Sequence, residues 1–412
     1  MNILEGEAAR KKVAALAHRY SAPDEKVTET VRRIVADVRQ NGDTALLGYA
    51  RQFDSLGDQP LAVSKQELRQ SLRKVSREFT KAVETAARNI RRYAEWQMPK
   101  SWIKTMQPGV RVGQRVEPID SVGCYAPGGR YPLPSTVLMT VIPAQVAGVK
   151  RIAVASPRPA PETMAAAAIL GVEEFYRIGG AQAVAAFAYG TKSIAPVAKI
   201  VGPGNSYVVA AKREVAFDCG IDFLAGPTEI VTVAHKGPAS YIASDLVAQA
   251  EHDPEALPVF ITSSKRLAKE VVIEAELQSA ENEIAKTSLA ANDVVLVARN
   301  KREAMDWANA IGGEHLTVAA DDLNAVRSAG SVFVGDFSPQ SLGDYASGPN
   351  HTLPTGNVAR TRGGLSVLDY VKIISVQQVS RAGLKKIGPT VTLLAEAEGL
   401  SAHANSVRVR LK

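Results

Sequence analysis

The first hundred residues carry apolar positions at the spacing of a helix. Between Val31 and Val38, apolar side chains recur with the period that places them on one helix face. Gly42 follows this run, and a glycine just past the last periodic residue is typical of a helix end. A second long pattern, from Gln66 to Trp96, is rich in Arg, Lys, Glu and Ala. We therefore predict a helical N-terminal region that serves as scaffold.

Short β-branched runs alternate with Ala-rich helical runs from about Arg111 onward. This alternation is typical of βαβ units and a largely parallel sheet. Strands are predicted at residues 120–125, 151–155, 175–178, 199–201, 229–233, 259–262, 294–297, 316–318 and 331–334. This number of strands is larger than one mononucleotide-binding half of a dinucleotide-binding fold contains. We therefore predict two α/β domains rather than one very wide sheet.

The end of the chain has a different pattern. Residues 366–371 lead into a helical pattern around residues 391–397, and a short strand-like tail follows at residues 406–411. A chain end with its own helix and strand often docks away from the main sheet. We predict that this segment packs elsewhere on the molecule or onto a partner subunit.

The composition of the 412-residue chain is that of an ordinary globular protein, with 46% apolar and 22% charged residues. No apolar run approaches the roughly 18 residues that a membrane helix needs. The N-terminal residues lack the basic segment and apolar core of a secretory signal. Cys124 and Cys219 are too few for a disulfide framework or a thiolate metal site. We therefore expect a cytoplasmic protein without membrane contact.

The basic residues outnumber the acidic ones, 49 to 42, which gives a net charge of +7. They are interspersed with acidic residues, as on solvated helix faces. The densest group, Arg408, Arg410 and Lys412, alternates in a way that indicates one face of a strand or a tail. We therefore predict a solvated surface and no nucleic-acid partner.

Three glycine-bearing turns each follow a predicted strand. They are Pro127-Gly128-Gly129, Gly179-Gly180-Ala181-Gln182 and Gly202-Pro203-Gly204-Asn205. The chain has no phosphate-binding P-loop, and the last turn lacks the third glycine of the dinucleotide-binding fingerprint. Each turn alone is explained as a plain strand–helix connection. Together they favour a ligand at the carboxyl edge of the sheet.

Only six histidines occur, and four of them stand near a carboxylate or an amide. Gln249 and His252 share a helix face and could hold a metal ion, although helix capping explains an isolated pair better. Glu314-His315 stands at the entry to a strand, where such a pair suits either acid–base catalysis or a plain surface. The other two of the four are His351 and His403, and those predicted at the surface are His18 and His235.

Nine short motifs, in one order over nearly the whole chain, are similar to those of the histidinol dehydrogenase family. They lie at residues 123–129, 134–139, 179–183, 202–205, 225–229, 249–252, 314–316, 343–354 and 398–403. Each motif alone is weak, but their common order is a specific signal. The chain therefore resembles that family along most of its length.

The resemblance implies a zinc-dependent, NAD-linked oxidation of L-histidinol to L-histidine through the aldehyde L-histidinal, in two successive two-electron steps. His315 matches the general base that takes the hydroxyl proton, and Glu314 matches the group that activates water for addition to the aldehyde. The implied ligands of one zinc ion per subunit are Gln249, His252, Asp344 and His403.

Further positions match the family's substrate and cofactor contacts. The implied substrate contacts are Ser135, Thr228, Gln249, His252, His315, Asp344, His351, Glu398 and His403. The implied NAD contacts are Tyr125, Gln182 and Asn205. NAD contacts at these positions would explain why the chain has glycine-bearing turns but lacks the usual dinucleotide-binding fingerprint.

The resemblance also implies an α/β fold with two incomplete Rossmann-like domains, interleaved in sequence, and a small C-terminal domain exchanged in a homodimer with shared active sites. On this basis residues 1–20 form an N-terminal tail. Residues 21–124 with 230–310 form the first domain, residues 125–229 with 311–365 the second, and residues 366–412 the dimerisation segment.

Three positions depart from the family pattern. Thr228 stands where many members have Ser, Gly312-Gly313 replaces Ala-Pro, and Thr317 replaces a common Glu. The two glycines predict a more flexible catalytic loop. These changes leave open a related dehydrogenase that acts on another polar amino or sulfonated alcohol, and a zinc hydrolase in which Glu314 activates water directly. Cys124 is interpreted as a buried structural cysteine rather than a nucleophile.

Overall fold

The computed structural model describes residues 1–19, 24–128, 132–291 and 294–412. Gly129 of the first glycine turn and the predicted boundary at residues 20–21 lie outside the described residues. The described strands are β1 (Ile3–Glu5), β2 (Trp102–Gln107), β3 (Val110–Pro118), β4 (Ser121–Tyr125), β5 (Arg151–Ala155), β6 (Glu174–Tyr176), β7 (Lys199–Val201), β8 (Gly220–Ile221), β9 (Glu229–Val233), β10 (Leu257–Thr262), β11 (Val294–Val297), β12 (His315–Val318), β13 (Ser331–Val334) and β14 (Val371–Val379).

Helices cover both faces of the parallel sheets and form much of the two chain ends. The described helices are α1 (Gly6–Ala17), α2 (Glu25–Asn41), α3 (Asp43–Phe53), α4 (Lys65–Ser71), α5 (Arg77–Gln97), α6 (Pro134–Ala147), α7 (Pro161–Ile169), α8 (Gly180–Tyr189), α9 (Ser206–Val215), α10 (Ala239–Ala250), α11 (Lys265–Gln278), α12 (Glu283–Ala291), α13 (Lys301–Ile311), α14 (Ser341–Tyr345), α15 (Arg381–Ala397) and α16 (Ser401–Arg408). None of these helices is both long and apolar enough to cross a membrane.

The first parallel sheet is built from residues 121–221. Its strand order is β6-β5-β4-β7-β8, so the chain winds outward from β4 in both directions. Helices α4 to α7 pack on one face, while α2, α3, α8 and α9 pack on the other. The carboxyl ends of β4 and β7 flank the point where the winding reverses, and ligands of such sheets bind at that point.

The second parallel sheet has the order β1-β11-β10-β9-β12-β13. Its faces are covered by α1 and α13 on one side and by α10 and α11 on the other. Both parallel sheets are covered by helices on two faces, which explains why their strands read as short continuous apolar runs. The predicted α/β class with largely parallel sheets is confirmed.

The strand pairing does not follow the predicted division of the chain into domains. The first sheet is continuous in sequence, whereas β12 and β13, assigned to the other domain, pair with β9 in the second sheet. The predicted N-terminal tail also belongs to the second sheet, since β1 pairs with β11 and α1 packs on α13. The sheets differ from the predicted division because neighbouring βαβ units keep their strands together, so β4 to β8 form the first sheet and β9 to β13 all lie in the second.

The C-terminal segment joins a third, antiparallel sheet of order β14-β3-β2. The tail predicted as a strand is wrong: residues 401–408 form α16, so Arg408 ends a helix. Ala404 and Val407 are both buried, and this three-residue spacing fits a helix that packs against α15. The helical spacing therefore prevails over the short alternation of apolar and basic residues.

A buried ion pair supports the turn that follows β7. Lys212 Nζ donates to Asp222 Oδ1 at 2.6 Å, and the Gly202 main-chain N–H donates to Asp222 Oδ2 at 2.8 Å. Lys212→Met would leave the Asp222 carboxylate buried without its cation. We expect the free energy of unfolding to fall by about 3–5 kcal/mol, measured by urea unfolding followed by circular dichroism.

A surface lysine provides the control for this change. Lys286 pairs with Glu283 at 2.8 Å, but the Glu283 side chain is 84% exposed. Lys286→Met should therefore change the free energy of unfolding by about 0–1 kcal/mol. Equal unfolding curves for the two lysine variants would contradict the role given to the buried pair.

Candidate active site

The predicted acid–base pair lies where the two parallel sheets meet. Glu314 and His315 stand at the start of β12, beside Glu229 at the start of the neighbouring β9. The carboxyl edge of the first sheet contributes the start of α6, where Thr136 Oγ1 lies 3.3 Å from His351 Nε2. The site is therefore assembled from the end of one sheet and the beginning of the other.

Glu314 is buried, and one of its carboxylate oxygens is held in place. Thr228 Oγ1 donates to Glu314 Oε2 at 2.6 Å, and the Glu229 main-chain N–H donates to the same oxygen at 2.8 Å. Burial raises the pKa of Glu314 to about 7, against the opposing effects of His315 and these two hydrogen bonds. A carboxyl group that titrates near neutral pH can both accept and donate a proton.

The His315 ring is oriented by its neighbours. Its Nδ1 lies 3.1 Å from the main-chain oxygen of Glu229, and because a carbonyl can only accept, Nδ1 carries a proton. Nε2 is then the nitrogen that exchanges a proton, and it lies 3.5 Å from Asp344 Oδ1. The ring also stacks on Phe333. Burial would lower the pKa of His315, but the carboxylates of Glu314 and Asp344 outweigh burial and raise it to about 9.

Asp344 stands among three imidazoles. His351 Nδ1 donates to the main-chain oxygen of Asp344 at 2.8 Å, which holds the His351 ring against α14. Burial would raise the pKa of the Asp344 carboxyl, but His315, His351 and His252 together hold it below its ordinary value. The structure thus brings three of the four singled-out histidines around one carboxylate.

Gln249 and His252 lie at the end of α10. Gln249 Nε2 donates to Thr228 Oγ1, so its amide oxygen is the atom that it could offer to a metal. Imidazole nitrogen, carboxylate oxygen and amide oxygen are donors that suit zinc, and Gln249, His252 and Asp344 therefore fit a zinc ion by their chemistry. In residues 1–19, 24–128, 132–291 and 294–412, no three His, Cys, Asp or Glu side chains of one chain are arranged to hold a metal.

Glu398 and His403 are not brought to this cluster within one chain. Both are exposed, Glu398 at the end of α15 and His403 in α16. Apolar side chains of α15 are exposed as well, with Leu393 at 69% and Leu394 at 59%. That these helices complete the site of a partner subunit stays a prediction.

The three predicted NAD contacts come together at the carboxyl edge of the first sheet. The Tyr125 hydroxyl, at the end of β4, accepts from the Gly180 main-chain N–H at 3.2 Å. Gln182, in the first turn of α8, donates from its amide nitrogen to Asp54 Oδ2 at 2.9 Å. Asn205 caps the start of α9. This edge includes the reversal point of the sheet, but contact with NAD stays a prediction.

Three residues that orient the site were missed in the sequence analysis. Glu229 holds Glu314 and His315 through its main chain, Phe333 packs on the His315 ring, and Thr136 contacts His351. Glu229 and Thr136 adjoin Thr228 and Ser135, which were singled out, so their place in the same motifs was an available signal. Phe333 is an ordinary apolar strand residue, and nothing in the sequence indicates that it packs on His315.

The cysteines are buried and free, as interpreted for Cys124. Burial raises the pKa of the Cys124 thiol to about 12 and that of Cys219 to about 11. A thiol with so high a pKa is not a nucleophile near neutral pH, which supports a structural role for Cys124.

Comparisons with known proteins show which family this chain matches. The family model for histidinol dehydrogenase matches residues 17–411. The chain is 44% identical to the histidinol dehydrogenase of Methanosarcina mazei, over 93% of this chain and 92% of that protein, and 44% identical to that of Gluconobacter oxydans, over 97% and 96%.

Solved structures give the same picture. The crystal structure of histidinol dehydrogenase from Elizabethkingia anophelis superposes with a TM-score of 0.95 at 33% identity, covering 100% of this chain and 98% of that one. An acetylating aldehyde dehydrogenase from Geobacillus thermoglucosidasius has a TM-score of 0.51 at 13% identity, covering 85% of this chain and 96% of that one. This second likeness concerns the fold alone.

Proposed function

The chain belongs to the histidinol dehydrogenase family and is an NAD-linked oxidoreductase, and from this premise we propose that it oxidises L-histidinol to L-histidine. The reaction would pass through L-histidinal and would end histidine biosynthesis in the cytoplasm. The observation that carries the proposal is the Glu314–His315 pair, since the Glu229 main chain holds both side chains beside Asp344.

In the first oxidation, His315 takes the proton of the substrate hydroxyl at Nε2. The Nδ1 contact with the Glu229 oxygen supports this role, because it keeps Nε2 turned toward Asp344 and away from the strand. As the proton leaves, the carbon–hydrogen bond of the alcohol breaks and its electron pair forms a hydride. Bound NAD would accept the hydride, and the alcohol carbon becomes an aldehyde.

In the second oxidation, Glu314 takes a proton from water as the water oxygen bonds to the aldehyde carbon. A pKa of about 7 suits this exchange near neutral pH. The resulting hydrate anion loses a second hydride, which a second bound NAD would accept, and the proton of its remaining hydroxyl, and this gives the carboxylate of histidine. The overall reaction thus consumes one water and two oxidised cofactors for each histidinol.

The remaining proposed roles follow the family resemblance. Zinc, when bound, would act as a Lewis acid toward the substrate and would neutralise the Asp344 charge that favours a protonated His315. We assign one zinc per subunit to Gln249, His252 and Asp344, with His403 contributed across a homodimer. The proposed substrate contacts are Ser135, Thr228, Gln249, His252, His315, Asp344, His351, Glu398 and His403, and the proposed NAD contacts are Tyr125, Gln182 and Asn205.

An assay of NADH formation with L-histidinol tests the proposal. We expect two NADH for each histidine formed, and loss of activity when a chelator removes zinc. No NADH from histidinol, but NADH from another amino or sulfonated alcohol, would indicate a related dehydrogenase instead. NADH that forms in step with histidine would exclude the zinc hydrolase, because hydrolysis transfers no electrons to NAD.

His252→Ala should lose zinc. The change removes a proposed ligand, so we expect zinc affinity to fall by more than the roughly 10- to 100-fold that follows loss of an outer partner. Metal analysis after dialysis and competition with a chelator measure the change. Glu314→Gln is the control, since Glu314 bonds Thr228 and Glu229 rather than the metal set, and it should keep full zinc content. Full zinc in His252→Ala would contradict the ligand assignment.

A further inference from the structure

The main chain of Glu229 controls the geometry of the catalytic pair, and its side chain is anchored elsewhere. The N–H and the oxygen of this one residue hold Glu314 and His315, respectively. The Glu229 carboxylate is 5% exposed and is bound by other groups, the Arg19 guanidinium and the Gly356 main-chain N–H. Whatever fixes that carboxylate therefore fixes the positions of two reacting side chains.

The guanidinium of Arg19 grips that carboxylate with two hydrogen bonds. Arg19 Nε donates to Glu229 Oε1 at 2.7 Å, and the Arg19 amino nitrogen donates to Oε2 at 2.5 Å. The Gly356 main-chain N–H adds a third bond to Oε1 at 3.0 Å. Only arginine offers two parallel donors in one rigid plane, so lysine cannot reproduce this contact.

The same guanidinium also holds the end of the helix that leads into the catalytic loop. Arg19 donates to the main-chain oxygens of Leu16 at 2.6 Å and Ile311 at 2.8 Å. Ile311 is the last residue of α13 and precedes Gly312-Gly313, where Gly312 has a φ of +57°. A glycine pair allows the backbone wide freedom, and fixing Ile311 limits that freedom just before Glu314.

We propose that Arg19 is a positioning residue for Glu314 and His315. It acts through Glu229, whose main chain bonds both side chains, and through Ile311, which precedes the loop that leads to Glu314. This inference rests on the proposed function for its kinetic effect, but not for its structural one. Arg19 lies 210 residues from Glu229 in sequence and touches neither reacting side chain in the described part of the chain. Its contribution is the placement of Glu314 and His315.

Arg19→Lys tests the proposal, and Arg151→Lys is its matched control. Arg151 grips Glu174 in the same two-bond manner, at 2.8 and 2.9 Å, and also donates to two main-chain oxygens, those of Ala195 and Pro196. Glu174 is the first residue of β6, as Glu229 is the first residue of β9. It therefore lies at the amino ends of the strands of the first sheet, whereas the site adjoins their carboxyl ends. Both variants therefore remove a two-bond contact with a carboxylate and contacts with two main-chain oxygens, whereas Arg19→Lys also removes a 3.0 Å bond to Asn357 Oδ1.

We expect kcat for histidinol oxidation to fall about 10- to 100-fold in Arg19→Lys and to stay near wild type in Arg151→Lys. The KM values for histidinol and NAD should change little, since no binding contact is removed. A folded Arg19→Lys enzyme with the kcat of Arg151→Lys would overturn the proposal.

A second measurement does not depend on turnover. In holoenzyme labelled with 15N-histidine, the His315 Nδ1–H bonded to Glu229 should give a slowly exchanging signal, identified by its absence in His315→Asn. We expect that signal to shift or exchange faster in Arg19→Lys and to persist in Arg151→Lys. If Arg19→Lys does not fold, Glu229→Gln replaces it, because it keeps the main chain while weakening the Arg19 contact.

The two readouts separate the two proposals. An unchanged His315 signal in Arg19→Lys or Glu229→Gln overturns the positioning role whatever the substrate is. A wild-type enzyme that makes no NADH from histidinol, with the signal still sensitive to Arg19, overturns the substrate assignment and leaves the positioning role supported.

Discussion

His315→Asn should lower kcat for histidinol oxidation by about 10²- to 10⁴-fold, the range that positioned proton transfer contributes. Asparagine can still donate to the Glu229 oxygen that His315 Nδ1 contacts, but it has no nitrogen that takes up a proton near neutral pH. Because the change removes only the base, zinc content and the KM for NAD should stay near wild type. Steady-state NADH formation and metal analysis measure these quantities.

His18→Asn is the control of the same residue type. His18 is exposed at the end of α1, so its loss should leave turnover unchanged. Retention of most turnover in His315→Asn would contradict the role of base. Loss of zinc together with turnover would assign His315 to the metal set instead.

Strands and helices of the two parallel sheets could be predicted from the sequence because each follows a local pattern. The predicted strand at residues 151–155 coincides with β5, and the predicted end of the first helix coincides with Gly42, which has a φ of +52°. Short apolar runs and helix-ending glycines depend only on residues close to them in the sequence. Such signals do not need knowledge of the rest of the chain.

The grouping of strands into sheets could not be predicted in the same way. Hydrogen bonds between β1 and β11 join residues near 4 and near 296, and no local pattern carries that pairing. The same holds for β14, which pairs with β3 along nine residues of each strand. The domain division implied by the resemblance therefore does not match the sheets, although the strands predicted for the two parallel sheets are found.

Some residues of the candidate site could likewise be predicted from the sequence, and others could not. Glu314, His315, Asp344 and His351 could be singled out because carboxylates and imidazoles are the groups that carry proton transfer. Arg19 could not, because an arginine near the end of a basic helix is indistinguishable in sequence from a solvated one. Only the fold reveals that its guanidinium contacts Glu229.

The exposed C-terminal helices lead to the second prediction, which concerns sharing of the site between subunits. Leu393, Leu394 and Val409 are each about half exposed or more, at 69%, 59% and 49%. Apolar side chains of this kind are typical of the core of a subunit interface. If a partner's arm covers the cluster around Asp344, then His403 and His315 of one active site come from different chains.

Co-expression of His315→Asn with His403→Ala should therefore restore activity that neither variant has alone. In a mixed dimer, one site combines both defects and the other combines intact His315 with intact His403. Random pairing makes half of the dimers mixed, so about a quarter of all sites, and of wild-type kcat, should return. His315→Asn co-expressed with Glu314→Gln is the control, because both defects lie in the same chain segment and no intact site can form. Activity no greater in the first mixture than in the control would place His403 in the site of its own chain or outside it.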